Sequence, residues 1–342
     1  MKKLLTFVSA ITAGAIGTAS ADVSVSGSSN FFYGSGSGNL NSTAQEDAVS
    51  VVGGTLAFAM STETTNGITV SGSASVSALT TDAAVTETGP ALGALSQISF
   101  GMDGMTVTLG DINNAGSGTG EGGDVTSFAS VNAQRLTTAS AGTANVNDSS
   151  MDGIADGTGI NVSTSIGAAS VDLTFVSKVG SGRNSMATNA KTTGYSAGYA
   201  LNVGFDMAGA SVNVATGGSE AQVAGVKNDS ANAIEVSYPV SDALSATIGA
   251  SSGTRAAGDE DNMFVTAAYT MDADTTLSVG YARGDHTDAS NVLDKASVTS
   301  VNISRSLGGG VSVFAEYAAV ANDNATVSTT GNSFAVGTVV AF

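Results

Sequence analysis

From Gly104 to Gly159 the chain reads GMTVTLGDINNAGSGTGEGGDVTSFASVNAQRLTTASAGTANVNDSSMDGIADGTG. It opens as a short alternating strand, Met105-Thr106-Val107-Thr108-Leu109, and then drops the pattern. Elsewhere the chain turns back on itself about every twenty residues, but from Asp111 to Gly157 it shows no clear strand. The segment is rich in Gly, Asn, Ser and Thr. It sets the acids Asp111, Glu121, Asp124, Asp148, Asp152 and Asp156 against one base, Arg135. Structureless stretches this long inside compact proteins are as a rule functional or disordered. The expectation is that the other segments build a closed wall and that 111–157 folds across its interior as a constriction.

Residues 1–21 have the form of a secretory leader. Lys2 and Lys3 give a basic start, Leu4 to Ile16 an apolar core, and Ala19-Ser20-Ala21 a small-residue cleavage site. The apolar run is too short and too often interrupted for a membrane helix. The mature chain is expected to run from Asp22 to Phe342 as one barrel. There is no cysteine, so neither disulfides nor thiol-bound metal support the fold. The formal net charge of −18 argues against a nucleic-acid partner, since phosphate binding needs Lys and Arg. With two prolines and many Gly, Ser, Thr, Ala and Val residues, the composition favours strands and turns over helices. A membrane protein of this kind must be a closed barrel, the one strand structure that satisfies every backbone group in lipid.

Period-two alternation marks sixteen strands. They fall at 22–33, 48–61, 67–79, 94–102, 104–110, 158–166, 168–178, 192–205, 210–216, 231–238, 243–252, 261–270, 275–284, 296–305, 311–321 and 332–342. Tight turns such as Asp206–Gly209 and Met271–Asp274 alternate with longer polar loops, including 217–230, 253–260 and 285–295. That asymmetry is what an up-and-down outer-membrane barrel shows. The seven tyrosines share the more apolar phase of their strands, many near strand ends, as aromatic girdles at a lipid surface would require. The outward positions of the second and third strands are read as Gly53, Thr55, Ala57, Ala59, Gly72 and Ala74. Small residues there would let a neighbouring subunit approach closely.

The last strand puts Phe334, Val336, Val340 and Phe342 on one face and ends on phenylalanine. It resembles the closing strand of bacterial outer-membrane barrels. The whole mature chain resembles a general diffusion porin of Gram-negative bacteria, of the alphaproteobacterial type. Val107-Thr-Leu-Gly-Asp111 before the long loop and Leu307-Gly-Gly-Gly-Val311 before the penultimate strand are the similar segments. The resemblance implies a 16-stranded antiparallel barrel in the outer membrane, a homotrimer, with the long third loop folded into the lumen. It implies Phe342 as the assembly signal read by the barrel-insertion machinery, and passive passage of small hydrophilic solutes and ions with no enzymatic step. Porins of this kind set loop acids against arginines on the wall. Here the lumen phase offers Asp172, Glu235 and Glu316 with only Lys178 as a base, while Arg283 and Arg305 fall in the apolar phase. An acid-lined passage prefers cations, and Glu121 and Asp124 are the expected main contributors.

Other motifs carry less. Gly118-Thr-Gly120-Glu-Gly-Gly123 matches a dinucleotide fingerprint, but no helix pattern follows to receive a pyrophosphate. The single histidine, His286, is expected in a solvated loop and cannot build a metal cluster alone. Asp259-Glu260-Asp261 and the acids of 111–157 could hold loosely bound Ca2+, although neither run has EF-hand spacing. No other cofactor is implied. The competing class is a secreted or surface-layer β-rich structural protein or adhesin, whose composition mimics a barrel.

Overall fold

The computed structural model describes residues 22–38, 49–64, 66–78, 91–92, 97–120, 149–151, 154–179, 195–221, 228–255, 258–288, 292–323 and 328–342. The leader expected at 1–21 lies outside the described residues. The first half of the wall comprises β1 (Asp22–Gly38), β2 (Val49–Glu63), β3 (Thr69–Ala78), β4 (Ala91–Leu92), β5 (Gln97–Met102), β6 (Met105–Ile112), β7 (Gly157–Ile166) and β8 (Ala169–Val179). The second half comprises β9 (Tyr195–Met207), β10 (Ala210–Ala221), β11 (Asp229–Pro239), β12 (Leu244–Arg255), β13 (Gly258–Thr270), β14 (Thr275–Asp288), β15 (Leu293–Gly308), β16 (Val311–Asp323) and β17 (Ser328–Ala341).

All pairings are antiparallel, and β1 bonds to β2 on one side and β17 on the other, so the sheet closes. The short β4 and β5 both pair with β3, at Val76↔Leu92 and Gly72↔Ile98, and share one place in the wall. The seventeen segments thus fill sixteen positions, and each expected strand is found. At the seam, Gly27 and Phe342 exchange two backbone hydrogen bonds of 2.8 and 2.9 Å. A Cβ on Gly27 would stand 2.6 Å from the Phe342 ring, so the terminal side chain occupies the space beside that glycine.

The strands of the second half run further than alternation suggested. Where a loop was expected at 253–260, Arg255 pairs with Gly258 across residues 256 and 257. Polar residues there form strand all the same, because above the apolar belt ladder bonds need no apolar partner on either face.

Residues directly opposite in the ladders share a face. One row of such partners is Val212, Val236, Ile248, Val265 and Tyr281; the row two residues along contains Val214, Ile234, Ala250 and Met263. Ile248, Val265, Tyr281, Val214, Ile234 and Met263 of these rows are exposed, although Val212 is buried, and so are Phe100, Leu109, Phe175, Tyr199, Tyr269, Tyr317 and Phe334 on the same face elsewhere. A continuous apolar belt therefore covers the outside. Six of the seven tyrosines lie on it: Tyr33, Tyr199, Tyr238, Tyr269, Tyr281 and Tyr317. The side chain of Tyr195 is outside the described residues.

One assignment of facing changes. On β2 the outward residues are Leu56, Phe58 and Met60, opposite Gly27, Val25 and Val23 of β1. Gly53, Thr55, Ala57 and Ala59 therefore belong to the lumen phase, while Gly72 and Ala74 of β3 face outward. Both faces of β2 are largely apolar, so alternation within the strand cannot choose between them; pairing with β1 does. Two aromatics stand on the inner face, which the sequence reading did not assign. Phe264 and Phe314 point inward and are buried. Phe264 lies against Gly249, its ladder partner, where an added Cβ would meet the ring at 2.1 Å.

The turn from β13 to β14 is held by Asp272. Its Oδ1 accepts the Asp274 N–H (2.9 Å), its Oδ2 accepts the Thr275 hydroxyl (3.1 Å), and Arg305 Nη1 is 3.7 Å away. The hydrogen bonds from Asp274 and Thr275 hold the carboxyl below its usual value, with Arg305 helping. A depressed carboxyl pKa gives stability that is full above the unfolded value near 3.9 and is lost as pH falls through the folded one. Heat-unfolding midpoints of the detergent-solubilised barrel should therefore fall more on acidification than those of Asp272→Asn. Parallel curves for the two proteins would show that this turn contributes nothing to acid sensitivity.

Candidate pore and its inward loop

β6 ends at Ile112 and β7 begins at Gly157, so the loop between them spans 113–156. Its two described legs lie on the lumen face of β8 to β13. On the first leg, the Ala115 N–H donates to Thr174 Oγ1 (3.0 Å) on β8, the Thr119 hydroxyl to Asn202 Oδ1 (3.5 Å) on β9, and the Gly120 N–H to Glu235 Oε2 (3.3 Å) on β11. A loop joining adjacent strands reaches that far round the wall only by passing through the interior. The legs also hold each other. The Asn114 N–H and Nδ2 donate to Asp156 Oδ1 (2.8 and 3.1 Å), and Nδ2 also reaches the Met151 carbonyl (2.8 Å).

The second leg is packed and bonded together. Met151, Ile154 and Ala155 form a buried cluster with Val176, Ala200, Ala215, Ala231 and Ala233 of the wall. Burying a side chain such as Met or Ile stabilises by about 1.5–3 kcal/mol. The wall is built low to receive them. A Cβ on Gly217 would lie 2.9 Å from Ile154 Cγ2 and 2.8 Å from the Tyr199 carbonyl oxygen. Ser150, fully buried, is the polar hub. Its N–H donates to Ser251 Oγ (2.9 Å), its carbonyl accepts from Arg255 Nη2 (3.0 Å), and its hydroxyl oxygen accepts from Asn262 Nδ2 (3.4 Å). Arg255 in turn donates from Nε to Glu260 Oε2 (3.0 Å), and His286 Nδ1 stands 3.8 Å from Glu260 Oε1.

The expected site residues divide accordingly. Asp172, Glu235 and Glu316 face the lumen. Asp172 accepts from the Ser163 hydroxyl, and Glu316, fully buried, accepts from Asn302 Nδ2 (3.1 Å). Lys178 pairs with Thr158 beside an irregularity in the ladder, and its side chain is outside the described residues. Asp111 is a correction. β6 continues two residues past Leu109 without a break, so Asp111 takes the outward phase and Ile112 is the residue buried inside. Asp156 clasps the root of the loop against Asn114. Glu121, Asp124, Arg135, Asp148 and Asp152 lie outside the described residues.

Three features escaped the sequence reading. Arg255 is an inward base, hidden because its segment looked like a loop. His286 is buried on the lumen phase of β14 instead of standing in a solvated loop. Asp259, Glu260 and Asp261 alternate faces along β13, with only Glu260 inward, so the three carboxylates do not converge on one ion. Among the described residues no three His, Asp or Glu side chains come together as a metal site.

The wall opposite the loop is different. On the inner face of β1, β3, β5 and β6 stand Ser24, Ser26, Thr69, Ser71, Ser73, Ser75, Gln97, Ser99, Thr106 and Thr108. Uncharged hydrogen-bonding groups therefore line this side. Charge collects at the turn end. Asp22, Glu63 and Asp206 lie there on the lumen phase, and Asp103, Asp242, Asp272 and Asp274 lie in the turns. Among the described residues the base at that end is Arg305, which is tied to Asp272.

An apolar exterior, a hydrophilic interior and two loop legs held against the inner wall define a transmembrane β-barrel channel. Comparison with known proteins gives the family. Residues 6–325 match the family described as Gram-negative porin, and the chain belongs to that family, whose place is the outer membrane. The fold is similar to a triple mutant of the Rhodopseudomonas blastica porin, with 17% identity, TM-score 0.59 and coverage of 94% of this chain and 100% of the other. It is also similar to an anion-selective porin from Comamonas acidovorans, with 15% identity, TM-score 0.61 and the same coverage. No curated protein matches the chain by sequence. Family and fold do not favour the adhesin reading.

The contacts of Ser150 make a test of loop anchoring. Arg255→Leu removes one charge-assisted hydrogen bond and leaves Glu260 without its guanidinium, a local cost of roughly 1–3 kcal/mol. Single-channel current should become noisier in this variant, with brief closures, while folded yield is unchanged. A trace as quiet as the parent's would mean that packing of Met151 and Ile154 alone fixes the loop.

Proposed function

We propose that this porin is a cation-preferring diffusion channel for small hydrophilic solutes, assembled as a homotrimer. The observation that carries the preference is the acidic turn-end mouth, where seven carboxylates face one base that is already engaged. Carboxylates around a narrow mouth with low-dielectric walls attract counter-ions and repel co-ions. Similarity of fold to an anion-selective porin means that the backbone does not choose the sign; side-chain charge does. The hydroxyls on the inner faces of β1, β3, β5 and β6 support passage of uncharged solutes, which exchange hydrogen bonds with Ser and Thr as they do with water. Glu121 and Asp124 add to the negative potential if their part of the loop follows its legs inward. Phe342, at the closing seam, serves as the assembly signal.

Reversal potentials across a potassium chloride gradient test the reading. Potassium should permeate ahead of chloride, and the preference should fade as ionic strength rises, since screening acts over about 10 Å at 0.1 M. Neutralising Glu63, Asp103, Asp206 and Asp242 to their amides should reduce the preference. Glu121→Gln with Asp124→Asn measures the contribution of the loop separately. Anion preference in the parent protein would overturn the proposal.

A further inference from the structure

Across the lumen from the loop legs, the turn end of the wall is hollowed. A cavity of about 390 Å³ opens there on β1, β2, β3 and β5. Its deeper row is one ladder line on the inner face, Asp22↔Ser61, Ser61↔Ser71 and Ser71↔Ser99. Ser61, Ser71 and Ser99 are half-buried, and Asp22 at the end of the row is exposed. The next row carries Ser24, Ala59 and Ser73, with Gln97 beside them on β5, all exposed. Ser99 is bonded to Thr108, Oγ to Oγ1 at 2.8 Å. The hydroxyls of Ser24, Ser61, Ser71 and Ser73 and the Gln97 amide have no side-chain partner among the described residues.

We propose that this hollow is a binding subsite for a neutral disaccharide on its way through the channel. The inference rests on the channel reading but not on its cation preference. The lining selects the class. Six neutral hydrogen-bonding side chains, Ser24, Ser61, Ser71, Ser73, Gln97 and Ser99, stand with one carboxylate, Asp22, and no base. An anion finds nothing to pair with, and a small cation finds a single exposed carboxylate. A serine hydroxyl both donates and accepts, as a sugar hydroxyl does. A carboxylate and a primary amide are the planar groups that engage two neighbouring ring hydroxyls at once, and Asp22 and Gln97 stand at the two ends of the hollow, on β1 and β5. Three strand spacings separate those ends, about 14 Å of wall, a span that curvature and the side chains shorten. One sugar ring bridges neighbouring strands only, whereas two linked rings reach from one planar group to the other. The volume, that of about thirteen waters at roughly 30 Å³ each, suits such a molecule. No aromatic ring lines the hollow, so hydrogen bonds alone hold the sugar. Binding of that kind is weak and quickly released, as passage requires.

Maltose tests this, with glucose as the single ring and a polyethylene glycol of the size of maltose as a solute that donates few hydrogen bonds. In planar bilayers maltose should reduce the ionic current with a half-blocking concentration about ten-fold below those of glucose and the glycol, the worth of one or two further hydrogen bonds. Saturation-transfer NMR of maltose with the barrel, held in a detergent without a sugar head, reads the same binding without any current. In Ser61→Ala/Ser71→Ala and in Gln97→Leu the half-blocking concentration, scaled to each variant's own open current, should rise about ten-fold, and the NMR signal should fall with it. Equal block by maltose and the glycol, or block and NMR signal unaffected in both variants, would overturn the proposal. Maltose carries no charge, so an anion preference in the reversal potentials would overturn the proposed selectivity and leave the expected block by maltose as it stands.

Discussion

In lipid, a backbone N–H or C=O without a partner costs several kcal/mol. A sheet can therefore stand in a membrane only if its two edges find each other. The pairing of β1 with β17 meets that condition, along a register that runs from Ser28↔Ala341 to Gly38↔Gly331 and is finished by Gly27 and Phe342. Everything else depends on this closure. It gives the wall an inside and an outside, so that a two-residue period becomes a division between water and lipid. It also makes the position of each face a property of the whole ring, since the phase of any strand is fixed by its neighbours.

The interior is then shared unequally. One half of the wall is low, with Ala200, Ala215, Gly217, Ala231 and Ala233 under Met151 and Ile154 of the loop. Polar contacts at Ser150 fix the height of the leg, and the clasp between Asn114 and Asp156 fixes its root. Buried hydrogen bonds of this kind add modest stability, but leaving one unmade is costly, so they act mainly as position markers. Among the described residues, β1, β3, β5 and β6 make none of these contacts and carry hydroxyls.

Most of the architecture could be read from the sequence, for physical reasons that also explain the misses. Alternation is strong where one face meets lipid and the other water, and all sixteen strands follow from it. It weakens on β2, where Ala57 and Ala59 oppose Leu56 and Phe58 and both phases are apolar. It misleads above the belt, where neither face meets lipid. There Arg255, Glu260 and His286 looked like loop residues, and Asp111 looked like the first residue of the constriction although it ends an outward phase. Phe264 could not be placed inside from its own strand, because the space for its ring is made by Gly249 on the neighbouring one. The acids of the loop were legible as a composition, but composition does not say which carboxylate clasps a backbone and which meets the passing ion.

The ladder pair Gly249 and Phe264 has a consequence for how such a wall can change. An aromatic ring folded flat onto a glycine fills the lumen little more than two medium side chains would, but the two positions are no longer independent. A larger residue at Gly249 has nowhere to go until Phe264 has first become smaller, and a smaller residue at 264 alone bares the backbone of β12 to water. Variation at this height must therefore come as an ordered pair of substitutions. The serine-lined strands across the lumen can exchange residues one at a time, and that is where this channel is most readily retuned.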